Sequence, residues 1–143
     1  MKHINENVTV SPQIDLSEIA DIKAQGFNIV MSNRPDGEEI GQPLTADIQA
    51  AVEAAGLKFV HIPIISGQFT QEAIDGFAQV VATNDKVFAY CRTGTRCAAL
   101  WALSQAGRAS ADDILGATSA AGYDFPQLRA HLEGADSLSN SDG

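Results

Sequence analysis

The chain has 143 residues, 45% of them hydrophobic and 19% charged, which is typical of one globular domain. Its net charge of −9 argues against nucleic acids and anionic membranes as partners, because both attract positive protein surfaces. No run of residues approaches the roughly 20 apolar positions that cross a bilayer, and the polar start is unlike a secretory signal, so we expect a cytoplasmic protein.

Short apolar segments alternate with helical patterns along the chain, and capping residues and glycines separate them clearly. In chain order we predict a strand at 7–11, a helix from Asp15 to Gly26, a strand at 27–31, a helix capped by Thr45 and closed by Gly56, a strand at 59–62, a helix from Thr70, a strand at 87–90, an apolar helix through 98–103, and helices from Ser110 and Pro126. A loop is predicted at 33–37, where Pro and Gly interrupt the pattern.

This alternation predicts a single α/β domain with a parallel sheet of four to five strands flanked by helices. Strand–helix repeats with apolar strands produce sheets that are covered on both faces. We assign residues 1–135 to the domain and the Ser-, Asn- and Asp-rich residues 136–143 to a disordered polar tail. Binding sites in such sheets lie beyond the carboxyl ends of the strands, and Cys91 directly follows one of them.

The segment from Cys91 to Arg96 joins this strand to the apolar helix. Backbone N–H groups in such a turn point inward, and the helix N-terminus adds roughly half a positive charge. This arrangement binds an oxyanion and lowers the pKa of a thiol, while the planar fork of Arg96 matches phosphate or sulfate oxygens. We therefore predict Cys91 and Arg96 as the functional pair. The predicted anion-binding segment consists of Arg92, Thr93, Gly94, Thr95 and Arg96, with Thr95 placed to donate to the thiolate.

Core packing is the alternative explanation for both cysteines, since cysteine is among the most buried residue types. Two arginines and a glycine directly after a buried strand are poor core residues, which favours a functional Cys91. Cys97 begins the apolar helix, which favours packing there; its functional alternative is a resolving thiol that forms a disulfide with Cys91. The sequence has no zinc-type cysteine and histidine spacing, so we expect no metal and no other cofactor.

Three segments together carry a family resemblance: residues 91–96, residues 32–39 (Ser-Asn-Arg-Pro-Asp-Gly-Glu-Glu) and residues 59–63 (Phe-Val-His-Ile-Pro). They resemble the phosphatase-like domain family of the beta-lactamase-hydrolase-like proteins. Those domains resemble dual-specificity protein tyrosine phosphatases in fold, and related domains are also labelled sulfur transferases. The resemblance implies Cys91 as nucleophile and Arg96 as anion-binding residue in a cysteine-phosphatase-like fold.

The loop departs from tyrosine phosphatases in its length. Those enzymes resemble one another in a cysteine followed by five residues and then arginine. Here only residues 92–95 separate Cys91 from Arg96, and Cys97 stands where those enzymes carry arginine. The shorter loop looks more like that of rhodanese-type sulfurtransferases, whose cysteine carries a persulfide sulfur.

The general acid is a second departure. Phosphatases usually protonate the leaving oxygen with an aspartate from a neighbouring loop, yet residues 63–68 contain no carboxylate. Asp36 is the substitute candidate for this acid. The simpler interpretation of its loop is a turn in which a glutamate pairs with Arg34.

Three functions therefore stay open. The first is a hydrolase in which the Cys91 thiolate attacks a phosphate monoester. The second is a sulfurtransferase that carries a persulfide on Cys91, and the third is a non-catalytic module that binds oxyanions or phosphoproteins. The expected partner is a small anionic or phosphorylated substrate, or a sulfane-sulfur donor; the sequence predicts no oligomeric state.

Overall fold

The computed structural model describes residues 1–65 and 67–141, the stretch 136–141 by its backbone alone. Within these residues the strands are β1 Lys2–His3, β2 Val8–Ser11, β3 Ile29–Ser32, β4 Lys58–His61 and β5 Val87–Tyr90. The helices are α1 Ile19–Ala24, α2 Thr45–Ala54, α3 Gln71–Val81, α4 Thr95–Ser104, α5 Ala111–Ala120 and α6 Arg129–Ser141. Short 3-10 turns at Leu16–Glu18 and Pro126–Leu128 precede α1 and α6.

The strands form one sheet in the order β1-β2-β5-β3-β4. Strands β2, β5, β3 and β4 run parallel, and only the edge pair β1–β2 is antiparallel. The predicted α/β domain with a mostly parallel sheet is therefore confirmed. The edge strand β1 was not predicted, because two polar residues, Lys2 and His3, carry no periodic signal.

The two faces of the sheet bury two separate apolar clusters, and strand β5 contributes to both. Val87 and Ala89 belong to the cluster formed with α3, α4 and α5, whereas Phe88 and Tyr90 pack on the opposite face with α1 and α2. Side chains of a strand alternate between faces, so Cys91 points to the same face as Ala89. This alternation directs the Cys91 sulfur toward α4, the helix that follows it.

The start of α2 differs from its prediction. Thr45 is the first helical residue, and Leu44 holds the cap position without a side-chain hydrogen bond. The capping acceptor comes from elsewhere in the chain: Asp36 Oδ1 accepts from Thr45 N and from Thr45 Oγ1, both at 2.8 Å. Threonine is a favoured N-cap residue, which is why Thr45 was predicted as the cap. In the structure the Asp36 carboxylate accepts the hydrogen bonds at the start of α2 instead.

Helix α6 continues through Ser141, past the predicted domain boundary at 135. A helix that has formed gains one hydrogen bond for each residue added, so weak helix formers can extend it. Residues 136–141 of the predicted tail are helical backbone in this structure, and residues 142–143 lie outside the described residues. Of the helices described, none is long and apolar enough to cross a membrane.

Candidate active site

Strand β5 delivers Cys91 to the carboxyl edge of the sheet, where the chain turns directly into α4. The Cys91 N–H still donates to the neighbouring strand at Ser11 O, 3.2 Å away. Gly94 then caps α4 with φ of 87°, a left-handed conformation that side chains other than glycine disfavour. The turn therefore needs glycine at this position, and it leaves the Cys91 side chain buried beneath the loop.

Hydrogen-bond donors converge on the Cys91 sulfur. Gly94 N–H donates to Sγ at 3.1 Å. The Cys97 thiol is the largest influence that lowers the Cys91 pKa, to about 5, and it outweighs the burial that opposes ionisation. Backbone N–H groups of Cys97, Thr93 and Arg96 add to the effect. Cys91 is consequently a thiolate at neutral pH.

Cys97 lies in the first turn of α4 and is fully buried in the same core cluster as Cys91. Burial raises the Cys97 pKa well above its ordinary value, and the neighbouring Cys91 sulfur raises it further. The prediction that Cys97 packs in the core is confirmed, and its neutral thiol in addition lowers the Cys91 pKa. Both cysteines are free, so the resolving-thiol alternative stays a prediction.

The Arg96 guanidinium is held by two loops at the same edge of the sheet. Nη1 donates to Glu38 Oε2 at 2.7 Å and to Ile64 O at 2.8 Å, and Nη2 donates to Glu38 Oε1 at 2.7 Å. The predicted bidentate fork is therefore occupied by Glu38. The guanidinium also approaches the Cys91 sulfur, and within the described residues its Nε–H has no oxygen acceptor. That edge of the guanidinium is therefore not engaged by a carboxylate of the described residues.

A network of ion pairs extends the Arg96–Glu38 contact within the loop after β3 and to Arg92 in the Cys91 loop. Glu38 Oε1 also accepts from Arg34 Nε at 2.9 Å, which confirms the predicted glutamate–Arg34 turn. Glu39 lies between Arg34, at 3.8 Å, and Arg92, at 2.5 Å. Hydrogen bonding to Arg96, and then to Arg34, holds the Glu38 pKa at about 2. Three arginines thus share two glutamates, and the one excess positive charge offsets the negative charge of the Cys91 thiolate.

The remaining predicted residues lie at the rim of the loop or away from it. The Arg92 side chain is 63% exposed and paired with Glu39. The Thr95 hydroxyl lies 3.0 Å from the Thr93 hydroxyl, so it pairs there and does not donate to Cys91 as predicted. Asp36 is engaged by Thr45, whose backbone N–H is the main cause of the lowered Asp36 pKa. An ionised, helix-capping carboxylate is poorly suited to donate a proton.

The sequence analysis did not identify Tyr123, which lies in the turn after α5. Its hydroxyl donates to Thr93 O at 3.2 Å, so it contacts the backbone of the Cys91 loop. Nothing near Tyr123 in the sequence marks it as part of a site, because the contact joins two distant segments.

Comparison with known proteins agrees with this geometry. The phosphatase-like domain of the beta-lactamase hydrolase-like proteins matches residues 1–108. The chain belongs to this family. Beta-lactamase hydrolase-like proteins from Agrobacterium fabrum and Xylella fastidiosa strain 9a5c are 36% and 34% identical to it, each over 133 residues. These alignments cover 91% of the chain but only 31% of either relative, so the chain spans about a third of their length.

Solved structures share the fold. A candidate phosphatase from Neisseria meningitidis, nma1982, superposes with a TM-score of 0.80 at 33% identity, covering 94% of this chain and 96% of its own. PTPMT1 superposes with a TM-score of 0.74 at 14% identity, covering 99% of this chain and 96% of its own. The cysteine-phosphatase-like fold that the resemblance implied is confirmed.

Proposed function

We propose that this chain is a cysteine-dependent phosphatase-like hydrolase that acts on phosphate monoesters through Cys91. The observation that carries the proposal is the sulfur of Cys91 at the focus of backbone and thiol donors, with the free edge of Arg96 beside it. A site that stabilises a thiolate also stabilises the oxygens of a phosphoryl group, because both are anions.

The reaction takes place in two displacements. The Cys91 thiolate attacks phosphorus, an S–P bond forms, and the P–O bond to the leaving group breaks with its electron pair on that oxygen. Loop N–H groups and Arg96 hold the other phosphoryl oxygens. Water then attacks phosphorus, the S–P bond breaks, and inorganic phosphate leaves while Cys91 becomes a thiolate again.

The substrate class depends on which residue can donate a proton to the leaving oxygen. Asp36 was predicted as the acid, yet it caps α2 and its pKa is lowered by Thr45. Glu38 lies closer to Arg96, but its pKa of about 2 keeps it ionised. Without a positioned acid, a loss of about 10²–10⁴-fold is typical. We therefore infer a preference for leaving groups that are stable as anions, such as phenolates.

A groove beside the loop provides room for such a leaving group. It has a volume of about 340 Å³ and is lined by Gln13, Arg92 and Thr93 on one side and by residues 39–43 on the other. Ile40, fully exposed at its rim, offers an apolar contact. We infer that Arg92, which the sequence analysis assigned to the anion-binding segment, contacts the leaving group in this groove.

Sulfur transfer is the second candidate function, favoured by the four-residue loop and by the ionised state of Asp36 and Glu38. The Cys91 thiolate attacks the outer sulfur of thiosulfate, the S–S bond breaks, and sulfite leaves. Cyanide or a thiolate then removes the outer sulfur from the persulfide and restores the Cys91 thiolate. Neither step needs a proton donor.

Parallel assays of the wild type and Cys91→Ser test both candidates. One assay follows an aryl phosphate, and the other follows thiosulfate with cyanide or glutathione. Phosphate release that disappears in Cys91→Ser supports the hydrolase. Thiocyanate or persulfide formation with negligible phosphate release would replace it with the sulfurtransferase. Phosphate binding without turnover in either assay would support the non-catalytic binding module instead of both enzymes.

A further inference from the structure

The Thr93–Gly94 peptide unit is bound at both of its polar ends. Its N–H, from Gly94, donates to Cys91 Sγ at 3.1 Å. Its C=O, from Thr93, accepts from the Tyr123 hydroxyl at 3.2 Å. In a trans peptide these two groups point in opposite directions, so the bond from Tyr123 and the bond to Cys91 favour the same orientation of one plane.

This orientation is not fixed by the backbone alone, because the plane adjoins a glycine. Gly94 has φ of 87°, and glycine adopts positive and negative φ about equally well. A flip of the peptide would direct the Thr93 carbonyl oxygen toward the Cys91 sulfur and remove the Gly94 donor from it. The flipped loop would oppose both the thiolate and a bound anion.

Further contacts place the Tyr123 hydroxyl against the loop. Its ring stacks on the buried Phe125, with centroids 6.5 Å apart and planes 7° apart. A Cβ atom added to Gly94 would lie only 2.4 Å from the Tyr123 hydroxyl oxygen, so the side chain covers the loop at this point. Burial raises the Tyr123 pKa, and the nearby Cys91 and Cys97 sulfurs raise it further, so the hydroxyl keeps its proton.

We propose that Tyr123 is a positioning residue that locks the Thr93–Gly94 peptide with its N–H turned toward the Cys91 sulfur. The inference deepens the proposed function and rests on Cys91 as the working thiolate. Tyr123 lies beyond residues 1–108, the part of the chain that the family match covers. The residue acts through the loop and does not contact the reacting atoms.

Tyr123→Phe tests the proposal, because it keeps the stacked ring and removes only the hydroxyl. Tyr90→Phe is the matched control: Tyr90 directly precedes Cys91, but its side chain packs in the core cluster on the opposite face of the sheet. The readout is the Cys91 pKa, from the pH dependence of iodoacetamide alkylation with Cys91→Ser as background. We expect Tyr123→Phe to raise this pKa by about one unit, a tenfold change in the ionisation constant, and Tyr90→Phe to leave it unchanged.

An unchanged Cys91 pKa in folded Tyr123→Phe overturns the proposal, as does an equal shift in both variants. The readout needs no turnover, so it stays informative if neither proposed activity is found. If Tyr123→Phe does not fold, NMR of the unmodified protein provides the test. The Gly94 amide proton resonance must then shift as Cys91 ionises, and a resonance that does not respond rejects the locked orientation.

Discussion

Arg96 and Glu38 meet fork to fork, with Nη1–Oε2 and Nη2–Oε1 distances of 2.7 Å each. Glu38 lies 58 positions earlier in the chain, in the loop that follows β3. The Arg96 side chain is 16% exposed, so solvent screens the pair only in part. The contact fixes the plane of the guanidinium and leaves its other edge facing the Cys91 loop.

Glu38→Gln tests this role in activity. Glutamine removes the charge and one of the two parallel hydrogen bonds, so the guanidinium loses its fixed plane. We expect kcat/KM for an aryl phosphate to fall about tenfold, which corresponds to about 1.4 kcal/mol. Glu133→Gln is the control, because Glu133 pairs with the exposed Arg129 in α6, outside the groove and the Cys91 loop, and it should change kcat/KM little. Tighter phosphate inhibition in Glu38→Gln would instead show that Glu38 competes with the anion.

The same ion pair predicts a pH dependence of stability. The Glu38 pKa is lowered from 4.5 to about 2, so folding favours its ionised form. The resulting stabilisation is complete above about pH 4.5 and is lost as the pH falls through about 2. Urea unfolding of wild type and Glu38→Gln should therefore show a difference of about 1–2 kcal/mol at pH 7 that shrinks toward pH 2. A difference that does not depend on pH would assign the loss to packing.

The low Cys91 pKa predicts a distinct alkylation profile. The thiolate is the reactive form, so the rate with iodoacetamide should rise through a pH of about 5 and stay level above it. Mass spectrometry of the modified peptide should place the label on Cys91, because the pKa of Cys97 is raised well above its ordinary value whereas that of Cys91 is about 5. A midpoint near that of an ordinary thiol would show that the loop donors do not stabilise the thiolate.

Cys97 should contribute to that low pKa through its S–H group. Cys97→Ala removes the donor, and we expect the Cys91 pKa to rise by about one unit or more, since this thiol is the largest lowering influence. Cys97→Ser keeps a donor of similar size and should leave the pKa closer to 5. The alkylation midpoint measures both variants. Equal midpoints in the alanine and serine variants would limit Cys97 to packing.

The features that could be predicted from the sequence are those whose residues lie close together in the chain. The apolar strand, Cys91 and the following glycine lie within one short segment, and Arg34 pairs with Glu38 only four positions away, so spacing alone predicts these features. The contact of Glu38 with Arg96 joins the loop after β3 to the first turn of α4, and the residue pattern does not show which residues of two distant segments meet. Asp36 illustrates the same limit. Its position in the sequence made it a candidate general acid, but its hydrogen bond with Thr45, which the sequence does not show, assigns it to the start of α2.

Gly94→Ala combines a backbone effect with a steric one. A residue other than glycine at φ of 87° costs about 1–2 kcal/mol, and the new Cβ would meet the Tyr123 hydroxyl oxygen at 2.4 Å. We expect Gly94→Ala to lower the free energy of unfolding by more than the backbone cost alone. Tyr123→Phe removes the clashing oxygen and leaves the ring carbon at 3.3 Å, so the double variant should recover part of the loss. A double-mutant cycle by urea unfolding measures this coupling. Strictly additive effects would show that the Tyr123 hydroxyl does not contact a side chain at position 94. The Tyr123 hydroxyl would then lie farther from Gly94 than in the structure.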